Sequence, residues 1–190
     1  NQSVTDGKGE AIVGQYLVTV TDAESKNPVS GATVNLAADD SISINLPGNR
    51  LLDYAEQTTV KVKRIKSVED KQNLTAVSGM SISVTDLNKN YSAGKTDSNG
   101  QVTVPATSGN TNADGVVTVG RTDDGVKQTL TVKVFEDGTK RPVKDAAVDS
   151  GKGGNINVQL PKGVDMDEEN RIGVLVSDHK QQPQEKVNVY

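Results

Sequence analysis

The chain has no cysteine and no tryptophan, and it contains a single phenylalanine among its 190 residues. The lack of cysteine excludes disulfides, thiolate zinc sites and a cysteine nucleophile. Because aromatic residues make up only 3% of the composition, any core has to be built from Val, Ile, Leu and Ala. Such small cores suit several small domains better than one large globule.

The sequence is also poor in residues that carry out chemistry. Its one histidine, His179, stands in the polar stretch 178–182, where a solvated side chain is the ordinary interpretation. With no second histidine and no cysteine, a Ser-His-Asp or Cys-His arrangement could only include that residue. The sequence therefore predicts a protein that is not an enzyme, with no catalytic and no cofactor-binding residues.

Long basic stripes and long apolar runs are missing as well. The formal charge is −4 and both signs are scattered along the chain, so we expect no nucleic-acid partner. No apolar run approaches the roughly 18 residues that span a bilayer, so we expect no membrane-spanning segment. The chain begins at Asn1 without a recognisable signal peptide, which indicates a processed protein or an excised fragment.

What the sequence does contain is a repeat. The phrase VTVTDAESKNPVSGATVNL begins at Val18, and the related phrase VKVFEDGTKRPVKDAAVDS begins 114 positions later, at Val132. The match continues without a gap to Val62, and the matched positions are mostly alternating apolar residues. This period of two is typical of half-buried strands, so the repeat predicts a duplicated all-β architecture.

Each phrase is interpreted as a pair of strands joined by a turn that ends in proline. The segment TTVKVKRI (58–65) is expected to close the first copy, and a diverged relative, AVSGMSISV, begins at Ala76. We therefore predict tandem small β-sandwiches in an extended array. The predicted units are a first sandwich over 1–67, a diverged middle unit over 68–127 and a second copy over 128–190.

One segment fits this division poorly. TDGKGEAIV (Thr5–Val13) resembles TDSNGQVTV (Thr96–Val104), which comes late in a unit, although the first stands at the start of the chain. Either the chain was cut from a longer array, or residues 1–13 form a strand that belongs to another unit. In the second case one subunit would complete the open sheet edge of its neighbour, as in a filament or lattice.

The phrases TDxxxxxPVSGATV and KTDSNGQVTVP resemble bacterial cell-surface Ig-like and prealbumin-like repeats. These include carboxypeptidase-regulatory-like, invasin/intimin-type and collagen-adhesin B-type modules. Gly31, Ala32 and Gly79 carry the match, whereas Asp145 and Ala146 depart from it. The resemblance implies that the predicted sandwiches are Ig-like or prealbumin-like. It also implies an extracellular, cell-surface role as a stalk, spacer, adhesin or assembly module. Its implied partners are other copies, neighbouring modules of the same surface protein, or an unknown host or cell-wall ligand.

The stretch GVDMDEEN is the candidate metal site. It places the oxygen-bearing side chains of Asp165, Asp167, Glu169 and Asn170 close together, as a calcium ion requires. The glycine and the distal glutamate of an EF-hand loop are missing, and acidic residues are also common in solvated turns. Both interpretations stay open, and calcium is the one cofactor that the sequence offers.

Three other features suggest weaker alternatives. Lys61, Lys63 and Lys133 alternate with valines, so they are expected to face solvent rather than to form the internal isopeptide bonds found in collagen-adhesin modules. The basic run Lys61–Lys66 is interpreted as the outer face of a strand, with binding of an acidic polymer as its alternative. The scattered tyrosines offer no stacking platform for a sugar ring.

Three classes of function follow from this sequence. The first is a non-enzymatic structural module of a bacterial surface protein, either a passive spacer or a filament subunit assembled by strand complementation. The second is a binding module that uses loops or an exposed edge. The third is a ligand-binding accessory module of a secreted enzyme whose catalytic part lies elsewhere.

Overall fold

The computed structural model describes residues 1–66, 74–87, 89–151, 154–167, 169–178, 182–184 and 187–190. Strands make up 51% of the chain, and the described residues contain no α-helix. The predicted all-β class is confirmed. Nor do those residues include any helix with the length and apolar character needed to cross a bilayer.

The chain divides into two compact units. Unit 1 comprises Asn1–Leu52, Glu56–Asn90 and Gly94–Val104, and unit 2 comprises Asp53–Ala55, Tyr91–Ala93 and Pro105–Tyr190. Four strands of unit 1 recur 114 positions later in unit 2, which is the spacing of the repeat found in the sequence. Two units therefore correspond to the two full copies of that repeat.

Unit 1 contains two sheets. The first has the order β1-β4-β5-β8-β9, made of β1 (Gln2–Val4), β4 (Thr33–Leu36), β5 (Ile42–Asn45), β8 (Ser81–Asp86) and β9 (Lys89–Lys95), of which Tyr91–Ala93 is assigned to unit 2. The second has the order β10-β6-β3-β2, made of β10 (Gln101–Val104), β6 (Thr58–Arg64), β3 (Tyr16–Asp22) and β2 (Glu10–Val13), with β7 (Thr75–Ala76) also paired to β6. Strands β5 and β8 run parallel.

The core of unit 1 is aliphatic, as the composition requires. Alternate residues of β3 and β6 are fully buried, namely Val18, Val20, Val60 and Val62. The other sheet contributes buried side chains from β4, β5 and β8, namely Val34, Ile42, Ile44, Ile82 and Val84. Both sheets thus supply one inner face with a period of two, an arrangement consistent with a β-sandwich.

Unit 2 repeats this plan with fewer strands. One sheet has the order β11-β14-β15, made of β11 (Ser108–Asn110), β14 (Ala147–Ser150) and β15 (Ile156–Gln159). The other has the order β12-β13-β16, made of β12 (Val116–Asp123), β13 (Val126–Glu136) and β16 (Ile172–Asp178). Residues from both sheets form one core cluster, which includes Val117, Leu130, Val132, Val148 and Ile156.

The predicted strand pair within each phrase is corrected by the structure. Strand β3 pairs with β2 and β6, whereas β4 pairs with β1 and β5 in the other sheet. The chain therefore crosses from one sheet to the other at Pro28. The turn itself matches the prediction, because the Asp22 carboxylate accepts the N–H groups of Glu24 and Ser25. The alternation of apolar and polar residues predicts which face of a strand is buried, but it does not predict which strand pairs with it.

The unit boundaries also differ from the predicted ones. The segment expected to close a copy is β6, which lies inside its sheet between β3 and β10. Strands β8 and β10, assigned to a middle unit over 68–127, pair with β5 and β6 of unit 1. The boundary after residue 127 falls within β13. These pairings join residues far apart in sequence, so local patterns do not show them.

Residues 1–13 lie within unit 1, contrary to the idea that they are displaced. Strand β1 pairs with β4, and β2 pairs with β3. Unit 2 begins in the same way with TNADGVVTV (Thr111–Val119), 106 positions after Thr5. The β12–β13 hairpin is eight residues longer than the β2–β3 hairpin, so the offset between the two units is 114 after it. Its Asp124-Gly125 turn has positive φ at both positions, as in a type I′ turn.

Candidate functional site: threonine–glycine clamps

The segment before β3 is fixed by a buried threonine. The Thr5 hydroxyl donates a hydrogen bond to the Val29 carbonyl at 2.7 Å and accepts one from the Ala32 N–H at 2.9 Å. Thr5 is 3% exposed. One hydroxyl thereby satisfies a backbone acceptor and a backbone donor of the loop between the two sheets, which would otherwise be buried without partners.

A glycine fixes the same segment to the central strand. The Gly9 carbonyl accepts the Val20 N–H at 2.8 Å, and the Val20 carbonyl accepts the Val29 N–H at 2.9 Å. Gly9 has a φ of +73°, and a Cβ at this position would lie 2.4 Å from the Val20 oxygen. Only glycine fits, because any side chain would collide with the backbone of β3.

The residue after the threonine shapes the turn. The Asp6 carboxylate accepts the N–H groups of Lys8 and Glu10, at 2.9 and 3.0 Å. Thr, Asp and Gly of the TDxxG signature therefore each have a defined contact. We call the set formed by Thr5, Gly9, Val20 and Val29 clamp 1.

Two further clamps have the same contacts. Clamp 2 consists of Thr96, Gly100, Val62 and Val77, and clamp 3 consists of Thr111, Gly115, Val134 and Val143. Both threonine hydroxyls donate at 2.6 Å to the loop carbonyl, and both glycine carbonyls accept from the central valine, at 2.7 and 2.8 Å. In clamp 2 the threonine segment follows its central strand in the chain rather than preceding it.

The clamps hold their polar groups in backbone hydrogen bonds. Thr96 and Thr111 are 4% and 2% exposed, and the side chains of Asp97 and Asn112 each accept two backbone N–H groups of their turns. The threonine hydroxyls thus join two segments that are distant in sequence, and the Asp97 and Asn112 side chains close the turns. The arrangement stabilises the crossing between the sheets.

The predicted calcium residues form a hydrogen-bonded turn. The Asp167 carboxylate accepts the N–H groups of Glu169 and Asn170, at 2.9 and 2.6 Å. The Asn170 side-chain amide donates to the Asp165 carbonyl at 2.9 Å. These contacts are those of a closed turn, and they involve the backbone of Asp165 and Glu169 rather than their side chains. Calcium binding itself stays a prediction.

No group of three His, Asp or Glu side chains suited to a metal ion occurs in the described ranges. The sole histidine, His179, lies outside those ranges. Lys61 and Lys63 alternate with the buried Val60 and Val62, as the sequence pattern predicts, and they are half-buried on the other face of β6.

The structure brings together one charged pair that the sequence did not suggest. An Arg50 amino nitrogen lies 3.0 Å from an Asp22 carboxylate oxygen, and Arg50 Nε donates to Thr58 Oγ1 at 2.8 Å. The Ser25 N–H is the largest cause that lowers the pKa of Asp22; burial opposes it, and the Arg50 guanidinium and the Glu24 N–H add to it. Together these contacts lower this pKa to about 2.

Part of the clamp pattern was readable from the sequence. The likeness of Thr5–Val13 to Thr96–Val104 was recognised, whereas Thr111–Val119 was missed. Asn112 replaces aspartate there, and the longer hairpin shifts the repeat. An eight-residue gap in the hairpin that follows aligns the third copy with the first.

No known protein family, curated protein or solved structure matches this chain. Its function is therefore inferred from the contacts within the chain.

Proposed function

We propose that the chain is a non-enzymatic structural module of a bacterial surface protein, with two tandem Ig-like or prealbumin-like repeats that act as a stalk, spacer or assembly element. The observation that carries this proposal is the occurrence of the same contacts in three clamps. In all three segments, the threonine hydroxyl and the Asp or Asn side chain that follows it form hydrogen bonds to backbone groups. Both units contain the clamp contacts, as expected if mechanical stability is the property that the two repeats share.

The clamp supports a load-bearing role for a physical reason. Each clamp ties a loop and a neighbouring strand to a central strand through backbone and threonine hydrogen bonds that are buried and therefore sheltered from water. Such bonds have to break together before the sheets separate. In a chain without cysteine, these bonds take the place that disulfides occupy in many extracellular domains.

The proposed location is the cell surface, and the proposed partners are neighbouring modules of the same surface protein. An antibody against the chain should label intact cells of the source bacterium, and brief protease treatment of those cells should remove the signal. Labelling only after the cells are permeabilised would refute the location without touching the mechanical proposal.

Single-molecule force spectroscopy tests the mechanical role. With the chain placed between marker domains, we expect two discrete unfolding events with length gains of roughly 35 and 30 nm, at about 0.35 nm per residue. Thr5→Val should lower the unfolding force of the longer event only, whereas Thr19→Val on the outer face of β3 should lower neither. Gradual extension without discrete events would refute a load-bearing role.

A further inference from the structure

Unit 2 contains a fourth central strand with its proline loop. The Gln184 N–H donates to the Val176 carbonyl of β16 at 3.0 Å, and Ser177 forms a bridge with Pro183. The same contacts join Val29 to Val20 in clamp 1. Val176 therefore occupies the position of the central valine in the other clamps, which are Val20, Val62 and Val134.

The threonine–glycine segment of this fourth clamp is missing from the described part of unit 2. Strand β16 is the last in its sheet order, whereas β10 covers the corresponding edge of β6 in unit 1. In a strand, the N–H and C=O groups of one residue point to the same edge, and those of the next residue point to the opposite edge. Since the Val176 carbonyl accepts the Gln184 N–H at this edge, the N–H groups of Val174 and Val176 also point to it. The edge offers the hydrogen-bonding groups that β10 uses in unit 1.

The side chains of β16 do not protect this edge. Natural edge strands carry lysine, proline or a bulge to prevent pairing with another chain. Strand β6, which is covered, has Lys61 and Lys63, and at the equivalent positions β16 has Leu175 and Ser177. Leu175 is 51% exposed. The uncovered strand is thus the more apolar of the two.

The core beneath the edge is also less covered. Val60 and Val62 of β6 are fully buried beside β10, whose Val104 is 2% exposed. Their counterparts in unit 2 are Val174, which is half-buried, and Val176, which is 7% exposed. An added strand with apolar residues at alternate positions would bury the rest of this surface.

We propose that the β16 edge is an acceptor site for a strand of a neighbouring repeat module. The strand would carry Thr, then Asp or Asn, then Gly four residues after the Thr, followed by alternating apolar residues. Its glycine carbonyl would accept the Val176 N–H. Its threonine hydroxyl would bridge the Gln184 carbonyl and the Val187 N–H, which match Val29 and Ala32 in clamp 1. This inference rests on the proposed structural role and names the partner.

The test uses the whole chain and a fluorescent peptide with the sequence of Gly94–Pro105, GKTDSNGQVTVP. We expect saturable binding by fluorescence anisotropy. A peptide with Gly100→Ala should bind at least tenfold more weakly, because the added Cβ meets the backbone oxygen of the central strand. A peptide with Thr96→Val should also bind at least tenfold more weakly, since it leaves the loop carbonyl and N–H without partners.

Methylated peptides locate the contact without changing the protein. N-methylation at Val102, whose N–H would face β16, should abolish binding, and N-methylation at Thr103, whose N–H would face away, should change it by less than threefold. Hydrogen exchange gives a second readout, because the amides of Val174 and Val176 should exchange at least tenfold more slowly with peptide bound.

Four outcomes would overturn the proposal. The first two are that the peptide fails to bind and that the Gly100→Ala peptide binds as tightly as the unmodified one. The third is unchanged exchange at Val174 and Val176 with the peptide present. The fourth is self-association of the chain through β16 in light scattering, because the occupant would then be a second copy. If the peptide fails to bind while two discrete unfolding events are seen under force, the acceptor site is refuted and the structural role stands.

Discussion

Replacing the clamp threonine by valine isolates the contribution of one hydroxyl to a unit. Thr5→Val keeps the size and β-branching of the side chain but removes the bonds to Val29 and Ala32, which are 2.7 and 2.9 Å long. Each buried backbone group left without a partner costs about 1–3 kcal/mol, and one additional buried methyl returns about 0.8 kcal/mol. At the middle of that range, about 2 kcal/mol for each of the two groups, we expect a net loss of about 3 kcal/mol in the free energy of unfolding of unit 1.

Hydrogen exchange measured by mass spectrometry suits this test, because it reports opening of each unit separately. The amides of β2 and β3 should exchange roughly 140-fold faster in Thr5→Val, by the rule of tenfold per 1.4 kcal/mol. Thr111→Val should have the same effect on β12 and β13. The control is Thr19→Val, on the outer face of β3, which should change exchange by less than about 0.5 kcal/mol. A cost for Thr5→Val as small as that of the control would refute the clamp.

Three other predictions concern single side chains. Gly115→Ala should destabilise unit 2 by more than about 2 kcal/mol in urea unfolding, since its Cβ would lie 2.5 Å from the Val134 oxygen at a φ of +73°. The control Gly125→Ala, which has a φ of +79° but open space around it, should cost only about 1–2 kcal/mol. Equal costs for the two variants would contradict the steric argument. The pKa of Asp22 is lowered from 3.8 to about 2 on folding. The ionised carboxylate therefore stabilises the folded state above pH 4 by up to about 2 kcal/mol, and this stabilisation is lost as the pH falls from 4 to 2. Asp22→Asn should flatten the dependence of unfolding free energy on pH in that window, and an unchanged slope would rule out this carboxylate. Asp167→Ala should cost about 1 kcal/mol, because it removes the carboxylate oxygen that accepts the Glu169 and Asn170 N–H groups. The unsubstituted chain should melt at the same temperature in calcium and in chelator. A rise in its melting temperature with calcium that Asp167→Ala abolishes would instead establish the calcium site.

The strands themselves were largely readable from local patterns. The alternation in VTV and VKV placed Val18, Val20, Val60 and Val62 on one buried face, and all four are fully buried. The turn at Asp22 and the end of β5 before Pro47 also followed from residue type. The sequence by itself determined the all-β class, the two copies and the aliphatic cores, because these depend on the period of the chain and on its composition.

The tertiary structure decided which strands are neighbours. Alternation does not distinguish a strand that pairs beside the preceding one from a strand that crosses to the opposite sheet, so the crossing at Pro28 and the parallel pairing of β5 with β8 were not predicted. The pairing of Arg50 with Asp22 and the meeting of Thr96 with Val77 depend on the same choice. Each of these contacts is formed when separate segments bury their apolar faces together, and that requirement has no local signal.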